Sequence, residues 1–292
     1  MFALHRASDF LSLVKFSHTI FALPFALLGF FLAVLDDGTL SVRKLALVVA
    51  CMVFARSAAM AFNRWRDRDI DGKNPRTAVR EIPAGKISSR AALAFVGLNG
   101  LLFVVCAGLL NATCLWLSPV ALAVVLGYSY TKRFTYLCHF VLGLGLALAP
   151  VGAYLAVTAQ WALLPVLYGL VVLLWVAGFD IIYALQDESF DRRERLFSIP
   201  VRLGTARALR LGRVLHFLSA AVMVGALALQ ATRYPDFGAL SIAGGALFLA
   251  CLVYQHTLVR PSDLSRVDLA FFTTNGVASV VFGSLSVLDV YL

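Results

Sequence analysis

The apolar positions of this chain come in long uninterrupted runs. Runs of about 18 residues or more, enough to cross roughly 30 Å of hydrocarbon as a helix, recur along the whole sequence. They predict about nine membrane-spanning segments, at residues 18–36, 43–63, 91–110, 114–130, 137–157, 161–183, 213–232, 237–257 and 268–290. The pattern therefore predicts an all-α, polytopic membrane protein in which residues 1–292 form one integral membrane domain.

The composition and the placement of charge favour a lipid bilayer over a nucleic acid as the partner of this protein. Of the 292 residues, 61% are hydrophobic and 14% are charged, against about 25% charged in an ordinary soluble domain. The net charge of +9 is concentrated in the loops that follow spans two, four, six and eight. The loops on the other side hold only Arg43, Lys44 and Arg233. This asymmetry predicts that the basic loops are cytoplasmic, as in the inner membrane of a bacterium.

Two of these predicted cytoplasmic loops, residues 64–90 and 184–212, are long and rich in both acidic and basic side chains. At the start of the first, Asn63, Asp67 and Asp71 follow one another at intervals of four residues. That spacing predicts that the three side chains share one face of a helix. Because the rest of the chain is so apolar, we expect the chemistry of the protein in these two loops.

The second loop repeats the design of the first. Asp180, Tyr183, Asp187 and Asp191 step by three, four and four residues, which again predicts one helical face. An even number of spans separates the two loops, so both return to the same side of the membrane. Paired motifs at matching depths indicate a pseudo-symmetric bundle around a shared cavity.

Paired carboxylates of this kind are suited to holding Mg²⁺ on a diphosphate ester. Mg²⁺ usually sits between one or two protein carboxylates and the phosphates of a substrate. The carboxylates also lie near helix C-terminal ends, where the helix dipole favours cations. The basic side chains expected to stabilise a departing pyrophosphate are Arg76, Arg80, Lys132, Arg133 and Arg192. An allylic cation left by that departure would be stabilised by a dry, aromatic pocket.

Arg56 is a separate candidate, because it lies inside the second predicted span. It precedes Asn63 by seven residues and so falls on the same helical face. An intramembrane arginine is costly and normally faces a polar interior. Two interpretations remain open for it, a functional contact and a structural ion pair.

Three stretches of the sequence resemble the signatures of one known family. NRWRDRDIDGKNPRTAVR at residues 63–80 resembles the first signature of the UbiA superfamily of intramembrane aromatic prenyltransferases, and YALQDESFD at 183–191 resembles the second. YSYTKR at 128–133 is also similar to that family. Within the superfamily, the chain looks closest to 4-hydroxybenzoate polyprenyltransferases and their relatives in menaquinone synthesis.

The resemblance implies a fold, a reaction and a set of site residues. The fold would be a nine-span bundle around a central cavity that opens laterally to lipid. The reaction would be Mg²⁺-dependent transfer of a polyprenyl group from a prenyl diphosphate to an aromatic acid such as 4-hydroxybenzoate, in ubiquinone or menaquinone biosynthesis. Asn63 would support the residues that bind the metal and the diphosphate, and Tyr183 and Asp180 would contribute to substrate binding. The catalytic metal ligands would be Asp67, Asp71, Asp187 and Asp191.

The acceptor stays open at this point. An aromatic acid requires a cation for its carboxylate, and Arg56, Lys15 and His18 are the candidates. The same fold could instead prenylate a dihydroxynaphthoate, haem, homogentisate or a chlorophyll precursor. A transporter is a more distant alternative, disfavoured because the acidic residues cluster at one membrane face and not at the midplane.

Overall fold

The computed structural model describes residues 9–14, 21–235 and 238–290, and the long elements within them are helices. These helices are α1 (Leu23–Asp37), α2 (Val42–Arg66), α3 (Ser89–Leu110), α4 (Ala112–Thr131), α5 (Cys138–Thr158), α6 (Leu163–Ala184), α7 (Thr205–Arg233), α8 (Ala239–Leu258) and α9 (Asn275–Leu288). Shorter helical pieces are Arg68–Asp71, Leu185–Asp187, Glu188–Arg193, Ile199–Leu203 and a π-helical turn, Leu269–Thr274. The prediction of an all-α fold is confirmed.

Eight of the described helical segments are long and apolar enough to cross a membrane. The remaining predicted span, 18–36, corresponds to α1, of which the described part has 15 residues. The largest difference from the predicted boundaries is in α7, which begins at Thr205 and not near residue 213. The first turns of this helix carry exposed arginines, so they are helical without being apolar. The ninth predicted span is interrupted by the π-helical turn.

Close packing of the helices depends on small residues where two backbones approach. Gly143 of α5 lies against α6, and a β-carbon at this position would be only 2.5 Å from the carbonyl oxygen of Leu173. Gly29 of α1 meets the Pro150 carbonyl of α5 even more closely. The hydrophobic effect does not drive helices together within lipid, because the lipid tails are themselves apolar. Close van der Waals contact of this kind therefore stabilises the association of neighbouring helices in a membrane.

At the end of the bundle opposite the charged loops, one carboxylate joins three helices. Asp36 at the end of α1 accepts hydrogen bonds from Tyr154 of α5 (2.6 Å), from Arg233 of α7 (2.9 Å) and from the Tyr234 hydroxyl (2.9 Å). The Arg233 guanidinium also lies 5.6 Å from the Tyr234 ring centroid. This polar clamp fixes the far end of the bundle.

The two charged loops meet at the other end, which we call the loop face. Lys73 of the first loop forms an ion pair with Glu194 of the second, with 2.7 Å between Nζ and Oε2. The backbone N–H of Phe197 donates to the carbonyl of Lys132, which follows α4, at 2.7 Å. The prediction that both loops return to one side of the bundle is therefore confirmed.

Candidate active site

Asp67 lies where α2 ends and is almost completely buried. Its backbone N–H still bonds to the Asn63 carbonyl, and the Asn63 side-chain amide donates to Asp67 Oδ2 at 3.2 Å. Two cations approach from the end of α4, with Lys132 Nζ 3.4 Å from Oδ2 and Arg133 3.5 Å from Oδ1. Burial raises the pKa of Asp67 above its ordinary value, and the positive charge of Lys132 acts in the opposite direction.

Asp69, between the two motif aspartates, faces outward. It is exposed, and its two carboxylate oxygens accept hydrogen bonds from the Arg133 guanidinium at 2.8 and 3.2 Å. Hydrogen bonding to Arg133 lowers the pKa of this carboxyl below its ordinary value. Arg133 also donates to the Arg66 carbonyl at 2.8 Å. Asp69 therefore serves to hold Arg133 beside Asp67.

Asp71 has one satisfied oxygen and one that lacks a partner. Its side chain is buried, and Oδ1 accepts from Arg80 at 2.7 Å. Oδ2 has no hydrogen-bond partner among the described residues. The loop is fixed around it by Thr77, whose hydroxyl donates to the Asp71 carbonyl at 3.1 Å. A buried, unpaired carboxylate oxygen is costly, so this atom indicates where an external ligand would bind.

The second motif is turned toward the first by a tight 3₁₀ turn, Leu185–Asp187, at the end of α6. Asp187 is bound there by two residues of the first loop: Arg76, whose Nε and second terminal nitrogen contact its two oxygens, and Asn74, whose amide donates at 3.2 Å. Arg76 also donates to the Tyr183 hydroxyl at 3.1 Å. The two motifs are thus directly joined through Arg76.

Asp191 and Arg192 are neighbours in sequence but occupy different surroundings. Asp191 is buried and lies close to Lys132 and Asp187. Arg192 is exposed and bonds to Glu188 and to the Val201 carbonyl, both at 3.1 Å. Arg192 therefore lies at the rim of the site, whereas Lys132 lies between the two motifs.

Asp180 lies more than one helical turn deeper in α6, where it contacts a histidine that the sequence did not indicate. His139 Nδ1 and Asp180 Oδ2 are 2.7 Å apart, and the Ile199 backbone N–H donates to His139 Nε2 at 3.3 Å. Because Nε2 accepts, the ring proton is on Nδ1 and is donated to Asp180. His139 and Asn74 are the two site residues that sequence reasoning missed.

An apolar cavity of about 350 Å³ extends from the site between α2, α3, α4 and α5. Among its polar lining residues, Asn63 and Tyr128 lie toward the loop face and Arg56 lies near the middle of α2, and Trp161 lines the far end. Arg56 Nε is buried and has no partner among the described residues, which form no ion pair with this side chain. The other candidates for an acceptor carboxylate, Lys15 and His18, lie outside the described residues.

The side chains at the loop face fit a metal ion that is shared with a substrate. Within the described ranges, no three Asp, Glu, His or Cys side chains converge on one point. The available donors are carboxylates, and oxygen ligands are those that Mg²⁺ prefers. Since Mg²⁺ commonly uses one or two carboxylates and takes its other ligands from phosphate and water, the free Asp71 Oδ2 and the buried Asp191 fit this pattern.

Comparisons with known proteins agree with this geometry. The sequence model of the UbiA prenyltransferase family matches residues 22–277. The chain is 30% identical over 289 residues to the 4-hydroxybenzoate octaprenyltransferase of Pseudomonas fluorescens (strain Pf0-1), covering 97% of this chain and 94% of that protein. It is 32% identical over 261 residues to the same-named protein of Aliivibrio fischeri (strain MJ11), covering 87% of each.

Solved structures give the same result for the fold. A UbiA homolog from Aeropyrum pernix K1 superposes with a TM-score of 0.81 at 33% identity, covering 93% of this chain and 98% of that one. A UbiA homolog from Archaeoglobus fulgidus bound to GPP and Mg²⁺ gives a TM-score of 0.75 at 19% identity, covering 97% and 100%. These matches favour an enzyme over the transporter considered from the sequence.

Proposed function

The chain belongs to the UbiA prenyltransferase family, and on that premise we propose that this prenyltransferase acts on an aromatic acid. The donor is a prenyl diphosphate, the acceptor is of the 4-hydroxybenzoate type, and the reaction requires Mg²⁺. The relatives named 4-hydroxybenzoate octaprenyltransferase support the acceptor and a long donor chain. The fold relative described with GPP and Mg²⁺ supports the donor and the ion. The product then enters ubiquinone or menaquinone biosynthesis.

The observation that carries this proposal is the direct bond between the two motifs. Arg76 of the first loop binds Asp187 of the second, and Lys132 lies between Asp67 and Asp191. Carboxylates from both halves of the chain and cations from the first half are therefore gathered in one place, next to Asn63, which lines the cavity. A diphosphate that binds metal through some of its oxygens and arginine or lysine through others requires both kinds of group in one place.

Each set of residues has a separate role in the proposed reaction. Bound Mg²⁺ would neutralise the diphosphate and make it a better leaving group, and it would be held by Asp67, Asp71, Asp187 and Asp191. Asn63 and Asn74 orient the carboxylates through their side-chain amides. The cations placed to stabilise negative charge on the departing diphosphate are Arg76, Arg80, Lys132 and Arg133. Arg192, at the rim, contributes to the electrostatic attraction of the donor.

The acceptor is assigned to the cavity beside Arg56. The cavity is apolar and is lined by Arg56, whose buried Nε has no partner among the described residues. It suits a ring that carries a carboxylate, because pairing with the guanidinium would offset the cost of desolvating that carboxylate. Asp180 lies near Tyr128, which lines the same cavity, and we assign both to substrate binding. Haem and a chlorophyll precursor are too large for this match to a single small carboxylate site, whereas dihydroxynaphthoate and homogentisate retain it.

We place the protein in the inner membrane of a bacterium with the loop face toward the cytoplasm. The relatives named above from Pseudomonas and Aliivibrio are bacterial. The Lys and Arg residues are concentrated in the loops of this face, as the positive-inside rule requires for cytoplasmic loops. A water-soluble aromatic acid and the diphosphate head of the donor would then both reach the site from the cytoplasm.

The proposal is tested by product formation with purified protein in detergent. Geranyl diphosphate or a longer donor is combined with 4-hydroxybenzoate or a dihydroxynaphthoate, with and without Mg²⁺. We expect a prenylated acid that disappears on chelation and in the Asp67→Asn and Asp187→Asn variants. Asp263→Asn is the matched control, because Asp263 is an exposed carboxylate of the same face whose hydrogen bonds among the described residues are to Ser265 and to Arg260 of its own turn. Full activity of the folded Asp67→Asn and Asp187→Asn proteins would contradict the assigned roles.

A further inference from the structure

The helix that ends the described chain contains a wide turn in a place where a regular helix was expected. Residues Leu269–Thr274 form a π-helical turn directly before α9. Such a turn leaves carbonyl groups without their usual partners, and within a membrane each unpaired group is expensive. π-Helical turns of this kind frequently occur at functional sites, which makes its surroundings informative.

Polar side chains at the end of the turn and directly after it satisfy its carbonyls and fix it to α6. The Asn275 amide donates to the carbonyls of Ala270 (3.1 Å) and Phe271 (2.8 Å), and the Thr274 hydroxyl donates to that of Leu269 (3.2 Å). The Asn275 side-chain oxygen accepts from Trp175 Nε1 of α6 at 2.8 Å, and both residues are fully buried. The turn is thus held in a defined position relative to the helix that carries the second motif.

Two further contacts join the same turn to the second motif itself. Asp268, immediately before the turn, accepts a hydrogen bond from Gln186 at 3.2 Å. The Phe271 ring stacks on the Tyr183 ring, with 4.1 Å between centroids and 28° between planes. Tyr183 in turn receives the hydrogen bond from Arg76, the residue that binds Asp187.

From these contacts we propose that Phe271 is a positioning residue for donor binding, and that the π-helical turn exists to present it. The stack fixes the Tyr183 ring, the Tyr183 hydroxyl fixes Arg76, and Arg76 sets the Asp187 carboxylate that would hold the diphosphate and its metal. This inference rests on the proposed function, because it concerns the prenyl diphosphate at the same site. A regular α-helix would turn Phe271 through a different angle and separate it from Tyr183.

The experiment compares Phe271→Leu with Phe271→Tyr, which keeps an aromatic ring for the stack, and with Phe30→Leu. Phe30 is fully buried in α1 away from the site, so it is a control for loss of a core aromatic ring. An aromatic pair contributes enough beyond its buried area that its loss should raise the KM for the donor about three- to tenfold. The KM for the acceptor should stay unchanged, and Phe271→Tyr should restore the donor KM to within about twofold of the wild type.

A purely structural role for Phe271 gives a different result. It would lower the active fraction, and so kcat, in Phe271→Leu and Phe30→Leu alike while leaving both KM values unchanged. That outcome would overturn the inference, as would failure of Phe271→Tyr to restore the donor KM. If Phe271→Leu does not fold, Trp175→Phe serves in its place, since it removes the hydrogen bond to Asn275 while keeping an aromatic ring in the core, and it should also raise the donor KM. An unchanged donor KM in an active Trp175→Phe protein would then refute the proposal.

The same assay separates this inference from the function on which it rests. A wild-type protein that neither binds nor consumes any prenyl diphosphate refutes the proposed function. A wild-type protein that turns over with a measurable donor KM, together with an unaltered KM in the Phe271 and Trp175 variants, leaves the function standing and refutes only the positioning role.

Discussion

Replacing Arg76 with lysine removes the planar fork that joins the two motif loops while keeping the charge of the site. In the structure Arg76 makes two contacts to the Asp187 carboxylate and one to the Tyr183 hydroxyl. A lysine ammonium is a point donor and cannot reproduce this bidentate geometry. The expected loss is therefore one charge-assisted hydrogen bond and the bond to Tyr183.

The magnitude follows from those contacts and from the exposure of the pair. A hydrogen bond to a charged group contributes about 1.5–3 kcal/mol and a neutral one about 1 kcal/mol. The Arg76 and Asp187 side chains are 36% and 21% exposed, so solvent screening reduces the net loss to somewhat below the sum of these two contributions. A net loss of about 2 kcal/mol corresponds to a decrease of roughly 30-fold in kcat/KM for the prenyl diphosphate.

The assay measures the initial rate of product formation against donor concentration for wild type, Arg76→Lys and Arg68→Lys. Arg68 is an exposed arginine of the same loop that bonds to the Trp65 carbonyl and lies over the Trp65 ring. Its replacement tests the loss of an arginine fork outside the proposed site. Equal kcat/KM values for the two folded variants would refute the claim that the Arg76–Asp187 bond organises donor binding.

Three further outcomes are expected. Arg56→Gln should raise the KM for 4-hydroxybenzoate by about tenfold or more, because the cavity loses the guanidinium of its lining arginine, and should leave the donor KM unchanged; equal increases in both KM values would contradict this role. Asp36→Asn should lower the thermal unfolding midpoint without changing the donor KM, since removing the charge weakens the three-helix clamp by about 2 kcal/mol; an unchanged midpoint would show that the clamp contributes nothing. Gly143→Ala should destabilise the folded protein because its β-carbon would collide with the Leu173 carbonyl, whereas Gly152→Ala on the same helix meets open space and should not; similar unfolding midpoints for the two would refute the packing argument.

Much of the architecture was predictable because a bilayer leaves the chain few choices. A run of apolar residues must form a helix, since nothing else satisfies its backbone within hydrocarbon. The same reasoning failed at the start of α7 and at the π-helical turn of residues 269–274, because hydropathy records how apolar a segment is and not how its hydrogen bonds are arranged. The turn depends on Asn275 and Trp175, which are far apart in sequence.

In the candidate site too, some features follow from local helical periodicity and others depend on the tertiary structure. The spacing of Asp67 and Asp71 and the outward direction of Asp69 follow from helical periodicity alone. Periodicity also placed Arg56 and Asn63 together, and both line the cavity. It could not indicate Asn74, because the contact between that residue and Asp187 is created only when the two loops meet.

His139 and Arg192 show two ways in which prediction from the sequence fails: it missed the first residue and placed the second too close to the centre of the site. His139 is an isolated histidine near the start of an apolar helix, and only the fold brings it to Asp180 and to the Ile199 backbone. Arg192 is next to a motif aspartate in sequence, yet its side chain bonds to Glu188 at the rim. Adjacency in sequence and adjacency at the site are therefore separate properties, and only tertiary structure distinguishes them.

The central claim is that carboxylates from both motifs hold Mg²⁺ on a prenyl diphosphate, and a direct binding measurement tests it. A prenyl thiodiphosphate that resists turnover is titrated into purified wild type, Asp71→Asn and Asp187→Asn, with Mg²⁺ and again with a chelator. The account predicts Mg²⁺-dependent binding by wild type and binding weakened at least about tenfold in each variant, because each substitution neutralises one carboxylate of one of the two opposed motifs. Binding that is equally tight without Mg²⁺, or that survives both substitutions unchanged, would contradict the account.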